Sequence, residues 1–143
     1  MIVPDANIFI YAADIGAPQH TLAKTWLEKA LGGSERVGLA WLVLLAFLRV
    51  TTKSGLSRQP MPVDSAVDAV DKLLALPTVE IIHPSRDHAL KLRRLLAAAG
   101  TAGNLVTDAH LAALAIENGA ELVTFDRDFG RFAGLRWKLL QTS

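Results

Sequence analysis

Cysteine is absent from the 143-residue chain. That removes disulfides, thiolate nucleophiles and cysteine zinc sites from consideration, and it suits a reducing cytoplasm. A strong charge balance is also missing. The formal net charge is +1, which by itself is no electrostatic footprint for nucleic acid. No apolar run is long enough to cross a bilayer: the longest, VGLAWLVLLAFL at 37–48, is short and marked by glycine. The N-terminal MIVPDAN has no basic segment ahead of its apolar residues, so neither a signal peptide nor a membrane role is expected. Repeats, low-complexity tracts and long linkers are lacking as well. The length suits one domain over 1–143 with a core of its own.

What is present is apolar. Hydrophobic residues make up 51% of the chain and the mean hydropathy is +0.30, so part of the surface is expected to meet a partner. The basic residues Arg86, Lys91, Arg93 and Arg94 fall in one segment, and Arg127, Arg131, Arg136 and Lys138 in another. Taken singly they read as solvated helix faces and turns.

Periodicity divides the chain into short strands and helices. Residues 1–4 form a strand candidate. PQHTLAKTWLEKAL (18–31) puts Leu22, Trp26, Leu27, Ala30 and Leu31 on one helical face, and Gly32-Gly33 stops it. That face reads as surface wanting cover, hence a dimer or a bound partner. RVGLA (36–40) is a second strand. WLVLLAFLRVTTK (41–53) is apolar nearly all round, and its length favours a buried helix. A loop is expected at 55–62. The helix VDSAVDAVDKLLAL (63–76) should turn Val63, Val67, Val70 and Leu74 inward and Asp64, Asp68 and Asp71 to solvent. VEII (79–82) is a third strand, followed by a helix capped by Ser85 and ended by Gly100. After a turn at 100–104, a helix over 105–119 stops at Asn118-Gly119. ELVTF (121–125) and WKLL (137–140) complete the strands. Strands alternating with helices imply an α/β fold, a parallel sheet of four to five strands covered on both faces.

In such sheets, sites gather at the carboxyl ends of the strands. Asp5 follows the first strand, and Asp126 and Asp128 follow the fourth in FDRD. Asp108 stands in the first turns of the strongly apolar helix VTDAHLAALA. Carboxylates converging without bases repel one another, and a divalent cation relieves the repulsion. Hard oxygen donors point to Mg²⁺ or Mn²⁺ and to phosphoryl chemistry. Each acid has a plainer reading too. Asp5 or Asp108 can cap a helix or favour its N-terminal dipole, and Asp126 and Asp128 can be turn residues. His20, His83, His88 and His110 show no ligand spacing and read as structural or surface residues.

The segments MIVPDANIFIYA, GLAWLVLLAFLRVTT, NLVTDAHLAALAIENGAELVTFDRDF and GLRWKLL together resemble the PIN-domain ribonucleases. They are most similar to the VapC toxins of bacterial toxin–antitoxin pairs, in the group abundant in mycobacteria. The resemblance runs from residue 1 to about residue 140. It implies a three-layer α/β/α PIN-like domain that cleaves RNA, commonly tRNA or rRNA, through Mg²⁺ or Mn²⁺. It also implies a growth-arresting toxin, a homodimer, and a VapB-type antitoxin whose C-terminal segment blocks the pocket. Carried over by position, Asp5, Asp108 and Asp126 are the expected metal ligands and, with Asp128, the expected catalytic acids. Asn7 and Thr124 match polar positions beside the pocket.

One position departs from the family pattern. A glutamate is usual where this chain has Ala46, in LLAFLR, so one ligand is missing. Arg49, three residues on, is expected to approach substrate phosphate or to pair with a pocket carboxylate. Two alternatives stand beside the ribonuclease. One is a degenerate PIN-like domain with a structural or binding role. The other is a phosphatase of the haloacid dehalogenase type, which wants D-x-D where this chain has Asp5-Ala6-Asn7.

Overall fold

A computed structural model describes residues 1–53, 59–100 and 103–141. Its sheet has five strands: β1 (Ile2–Pro4), β2 (Val37–Leu39), β3 (Val79–Ile81), β4 (Glu121–Thr124) and β5 (Trp137–Leu139). All neighbours pair in parallel, in the order β3-β2-β1-β4-β5. Six α-helices connect them among the described residues: α1 (Ala6–Ala13), α2 (His20–Gly32), α3 (Trp41–Thr52), α4 (Val63–Leu74), α5 (His88–Ala99) and α6 (Val106–Glu117). Short 3₁₀ helices precede α6 at Gly103–Leu105 and follow β4 at Arg127–Arg131.

Alternation along the strands builds two cores, one on each face. Val3 and Leu122 face the larger core, which includes Val37, Leu39, Val43, Leu44, Phe47 and the buried apolar residues of α6. Ile2 and Val123 face the smaller one, with Ile8, Leu140, Leu22 and Trp26. Helices therefore cover both faces, and the three-layer α/β/α arrangement holds.

The strand order fixes where a site can form. From β1 the chain steps outward to β2 and β3, then returns to the other side of β1 for β4 and β5. The reversal falls between β1 and β4, whose carboxyl ends lie in register at Pro4 and Val123. A crevice opens at such a switch point. Asp5, anchored by its backbone N–H to the Val123 carbonyl at 2.9 Å, stands at its edge.

Several expectations need correction. On α4, Val63 and Val67 are 65% and 42% exposed, while Ala66 and Val70 are buried. The inward stripe is 66, 70, 73 and 74, the i, i+4, i+7 face, and the aspartates at 64, 68 and 71 do face solvent. Leu22, Trp26 and Leu27 of α2 pack on Ile8, Val123 and Leu140, so that face is not free surface. Ser85 does not cap α5. The helix begins at His88, and the Ser85 hydroxyl donates to Asp87 instead at 2.8 Å. The ends at Gly100 (φ 75°) and Gly119 (φ 60°) use the left-handed conformation that glycine adopts freely. The expected loop at 55–62 and turn at 100–104 lie partly outside the described residues. No helix among the described residues is long and apolar enough to cross a membrane.

Candidate active site

Asp5 is positioned twice over. Its Oδ1 accepts the Ala6 N–H at 2.7 Å and so caps α1. Its Oδ2 accepts the Thr124 hydroxyl, also at 2.7 Å. Thr124 is fully buried at the end of β4. The same hydroxyl oxygen accepts from the Asn7 amide at 3.3 Å and from the Asp126 N–H at 3.0 Å. Asn7 in turn accepts the Phe125 N–H through Oδ1 at 3.3 Å. Thus β1, the first turn of α1 and the end of β4 are tied together at one point. Asn7 gives one amide N–H and its oxygen to this brace, and an amide has no proton to transfer, so it does not suit the acid–base role of the second aspartate in a phosphatase of the dehalogenase type.

Asp126 caps the 3₁₀ helix after β4, accepting the Asp128 N–H at 2.8 Å. Asp128 is exposed and pairs with Arg131 at 3.7 Å. Both turn readings therefore hold for these acids, and the capping reading holds for Asp5. The same backbone positions that satisfy local geometry also direct the carboxylates toward a common edge.

Asp108 enters from the other side, in the first turn of α6 without capping it. Residues Ala109 and Leu111–Ala115 of this helix are all buried, so α6 runs through the core and holds Asp108 at its mouth. A cavity of about 350 Å³ lies between the elements. Asp5, Ala6, Thr107, Asp108 and Leu111 line it on one side, and Leu42, Val43, Leu45, Ala46 and Arg49 of α3 on the other. Position 46 thus faces the acids. Asp126 and Asp128 are not among its walls. Arg49 is exposed and makes no ion pair with Asp5 or Asp108.

The electrostatics show a shared surplus of negative charge. Burial pushes the Asp108 carboxyl up to about 6, and the charges of Asp5, Asp126 and Asp128 add to the shift. Asp5 is raised too, first by burial, with Asp126 repelling it, although the Thr124 and Ala6 hydrogen bonds oppose the rise. Among the described residues, no group of three or more acidic or histidine side chains is drawn up closely enough to hold a metal ion as it stands. In charge and donor type, however, the oxygen-only acids suit a hard divalent cation, and their mutual repulsion is what such a cation relieves.

The sequence alone missed a second polar cluster on α5 and α6. Glu117, almost wholly buried, accepts the Ser85 N–H at 2.7 Å and contacts His88 Nδ1 and Lys91. The other His88 nitrogen meets His110 Nδ1 at 2.8 Å. His110 and Glu117 share a face of α6 by their i, i+7 spacing, which is the one signal that could have paired them. His110 is lowered, by burial first and by His88 next, against the pull of Glu117. Burial alone would raise Glu117, but hydrogen bonds from Ser85 and His88 outweigh it and hold the carboxyl low. These residues lock two helices together, as structural histidines do.

A parallel sheet with an acidic crevice at the β1/β4 switch point defines a small α/β domain with its acids at the carboxyl edge of the sheet. The PIN-domain family model matches residues 2–135, and the chain belongs to that family. Among curated relatives, Ribonuclease VapC37 of Mycobacterium tuberculosis is 47% identical over 137 residues, covering 96% of this chain and 95% of the relative. Ribonuclease VapC33 of the same species is 39% identical, with 96% of each chain covered. The fold matches VapBC2 of Rickettsia felis, solved bound to a promoter DNA fragment, with a TM-score of 0.71 at 24% identity over 99% of this chain and 100% of that one. It also matches M. tuberculosis VapC20, a toxin that cleaves the sarcin-ricin loop, with a TM-score of 0.69 at 20% identity over 94% and 96% of the two chains.

Proposed function

We propose that this chain is a metal-dependent endoribonuclease toxin, held in check in the cytoplasm by a VapB-type antitoxin protein. Its relatives are named as VapC ribonucleases, at identities up to 47% over nearly full length. Fold neighbours include VapBC toxin–antitoxin assemblies. The observation that carries the catalytic reading is the convergence of Asp5 and Asp108 on one cavity at the β1/β4 crevice, with Asp126 and Asp128 near enough for their charge to act on Asp108.

In this reading Asp5, Asp108 and Asp126 hold Mg²⁺ or Mn²⁺, and Asp128 adds negative charge from the rim. A bound divalent cation supplies activation of the attacking water and neutralises charge developing on the phosphate. Thr124 holds Asp5 in one rotamer through its donated hydrogen bond, and Asn7 keeps the end of β4 against α1. Arg49, on the cavity wall and paired with neither cavity acid, meets a backbone phosphate of RNA in this reading. The exposed apolar side chains Ile15, Trp41, Leu45, Leu90 and Val106 support association, with the antitoxin or with a second copy of the chain.

The test is cleavage of single-stranded and transfer RNA by purified chain with Mn²⁺, against the same reactions in chelator and against p-nitrophenyl phosphate. RNA cutting that needs the metal supports the nuclease. Phosphatase turnover, or binding without cutting, would replace it with one of the two alternatives. Light scattering of the chain alone and with antitoxin reads the association.

A further inference from the structure

Helix α3 carries more apolar surface than the core uses. Val43, Leu44, Phe47 and Thr51 are its buried residues. Leu42, Leu45, Ala46 and Arg49 lie on another stripe, at i, i+3, i+4 and i+7, and that stripe lines the cavity opposite Asp5 and Asp108. Leu45 is 58% exposed and Leu42 and Ala46 are half-buried. An apolar wall, one cation at its C-terminal end and two carboxylates across the gap make an unusual combination. A phosphate alone would leave the leucines bare. A wholly apolar ligand would leave Arg49 and both acids unanswered.

We propose that this stripe is a subsite for a single nucleotide of the substrate, with Leu42, Leu45 and Ala46 taking the face of an unstacked base and Arg49 the adjoining phosphate. The proposal deepens the ribonuclease reading and rests on it for the identity of the polymer. A base drawn out of its stack is commonly held between aromatic or apolar side chains, and single-stranded RNA offers such bases. The cavity, about 350 Å³, falls within the range of small-ligand sites. Ala46 is the residue that decides the fit. Its methyl group leaves the wall both open and uncharged, so it acts on which nucleotide enters rather than on the bond that breaks.

The experiment is an NMR titration in Mg²⁺ buffer with the four nucleoside 5′-monophosphates and with ribose 5-phosphate, which lacks a base. At least one nucleotide should bind tenfold or more tightly than ribose 5-phosphate, with amide shifts over residues 42–49. Ala46→Leu fills the wall, and Leu45→Gln makes it polar. Each should cut that ratio below threefold without changing the affinity for ribose 5-phosphate. Both replacements favour helix, and either suffices if the other fails to fold. Equal affinity for all five probes, or a ratio unchanged in the folded variants, would overturn the subsite and assign the stripe to a protein contact. RNA cleavage by the wild type is scored separately. A base preference without cleavage sinks the nuclease and leaves the subsite, and cleavage without a base preference does the reverse.

Discussion

The Thr124 hydroxyl donates to Asp5 Oδ2 at 2.7 Å, and its oxygen accepts from both Asn7 and Asp126. One donor and two acceptor sites are all a hydroxyl has, so Thr124 is fully used. Asp5 is therefore aimed by a residue that has no capacity left for substrate.

Replacing Thr124 by Val keeps the shape and removes all three bonds. The Asp126 N–H loses its hydroxyl acceptor and a mostly buried Asp5 loses its donor, for a loss of about 1–3 kcal/mol. Denaturant melts of Thr124→Val should show it, Thr124→Ser should restore most of it, and RNA cleavage should fall further than stability explains. A valine variant as active and as stable as wild type would mean that Asp5 needs no such brace.

Asp5→Asn removes one charge from the crowded set and retains an acceptor for the Ala6 N–H. Metal-dependent RNA cleavage and growth arrest on expression should both vanish. The chelated melt should stay near that of wild type: the amide removes the cost of burying the charge and the smaller repulsion from Asp126, but it turns an N–H toward the Thr124 hydroxyl and loses that bond. Cleavage persisting at the wild-type rate would remove Asp5 from the reaction.

Ala46→Glu adds a carboxylate to the wall that faces Asp5 and Asp108. Mn²⁺ should bind more tightly, on the order of 1–3 kcal/mol if the oxygen reaches it, and the chelated protein should melt lower. The same charge on the α3 stripe should weaken nucleotide binding. Calorimetric titration with melts in EDTA reads the first two effects, and unchanged values for both would show that residue 46 turns away in solution.

Asp108 sets a pH dependence. Its carboxyl, raised from 3.8 to about 6, holds its proton more tightly in the folded chain than in the unfolded one. Between pH 4 and 6, about the span of those two values, the folded state binds more protons, so the stability of the metal-free protein falls as pH rises and then levels off. Mn²⁺ must displace that proton, so its affinity should climb with pH up to about 6 and flatten above it. Asp108→Asn should flatten the stability slope. A metal affinity independent of pH from 5 to 7 would contradict the coupling.

Glu117→Ala should be costly for a different reason. It takes a partner from His88 and Lys91 and the acceptor from the Ser85 N–H, and leaving such groups unsatisfied costs about 1–3 kcal/mol. Well below the melting temperature, cleavage should persist, since the cluster braces α6 and does not face the cavity. Loss of activity in the folded variant would tie the cluster to the reaction.

The strand and helix order was legible because the apolar runs are short and closed by glycine. The positions of Asp5 and Asp126, just past β1 and β4, were legible because each strand is a short apolar run. Three things were hidden. Helix α1 starts at the residue after Asp5 with no intervening turn, and ANIFIYAA has too few polar positions to show a period. The phase of α4 was misjudged because valine sits on both faces, and only packing against α3 and β3 chooses between them. The Glu117 cluster joins residues far apart in sequence, and no spacing in α5 announces its partner in α6. The role of Thr124 belongs between the two cases. Its position at the end of a strand was visible, but its three bonds depend on the register between β1 and β4.

That register also orders events in time. Asp5 leaves the ribosome well before the hydroxyl that aims it, which lies 119 positions later, and β1 has no partner on that side until β4 emerges. The acidic crevice cannot assemble in an unfinished chain, however long translation pauses before β4. The proposed nuclease is thereby kept inert until β4 has been made.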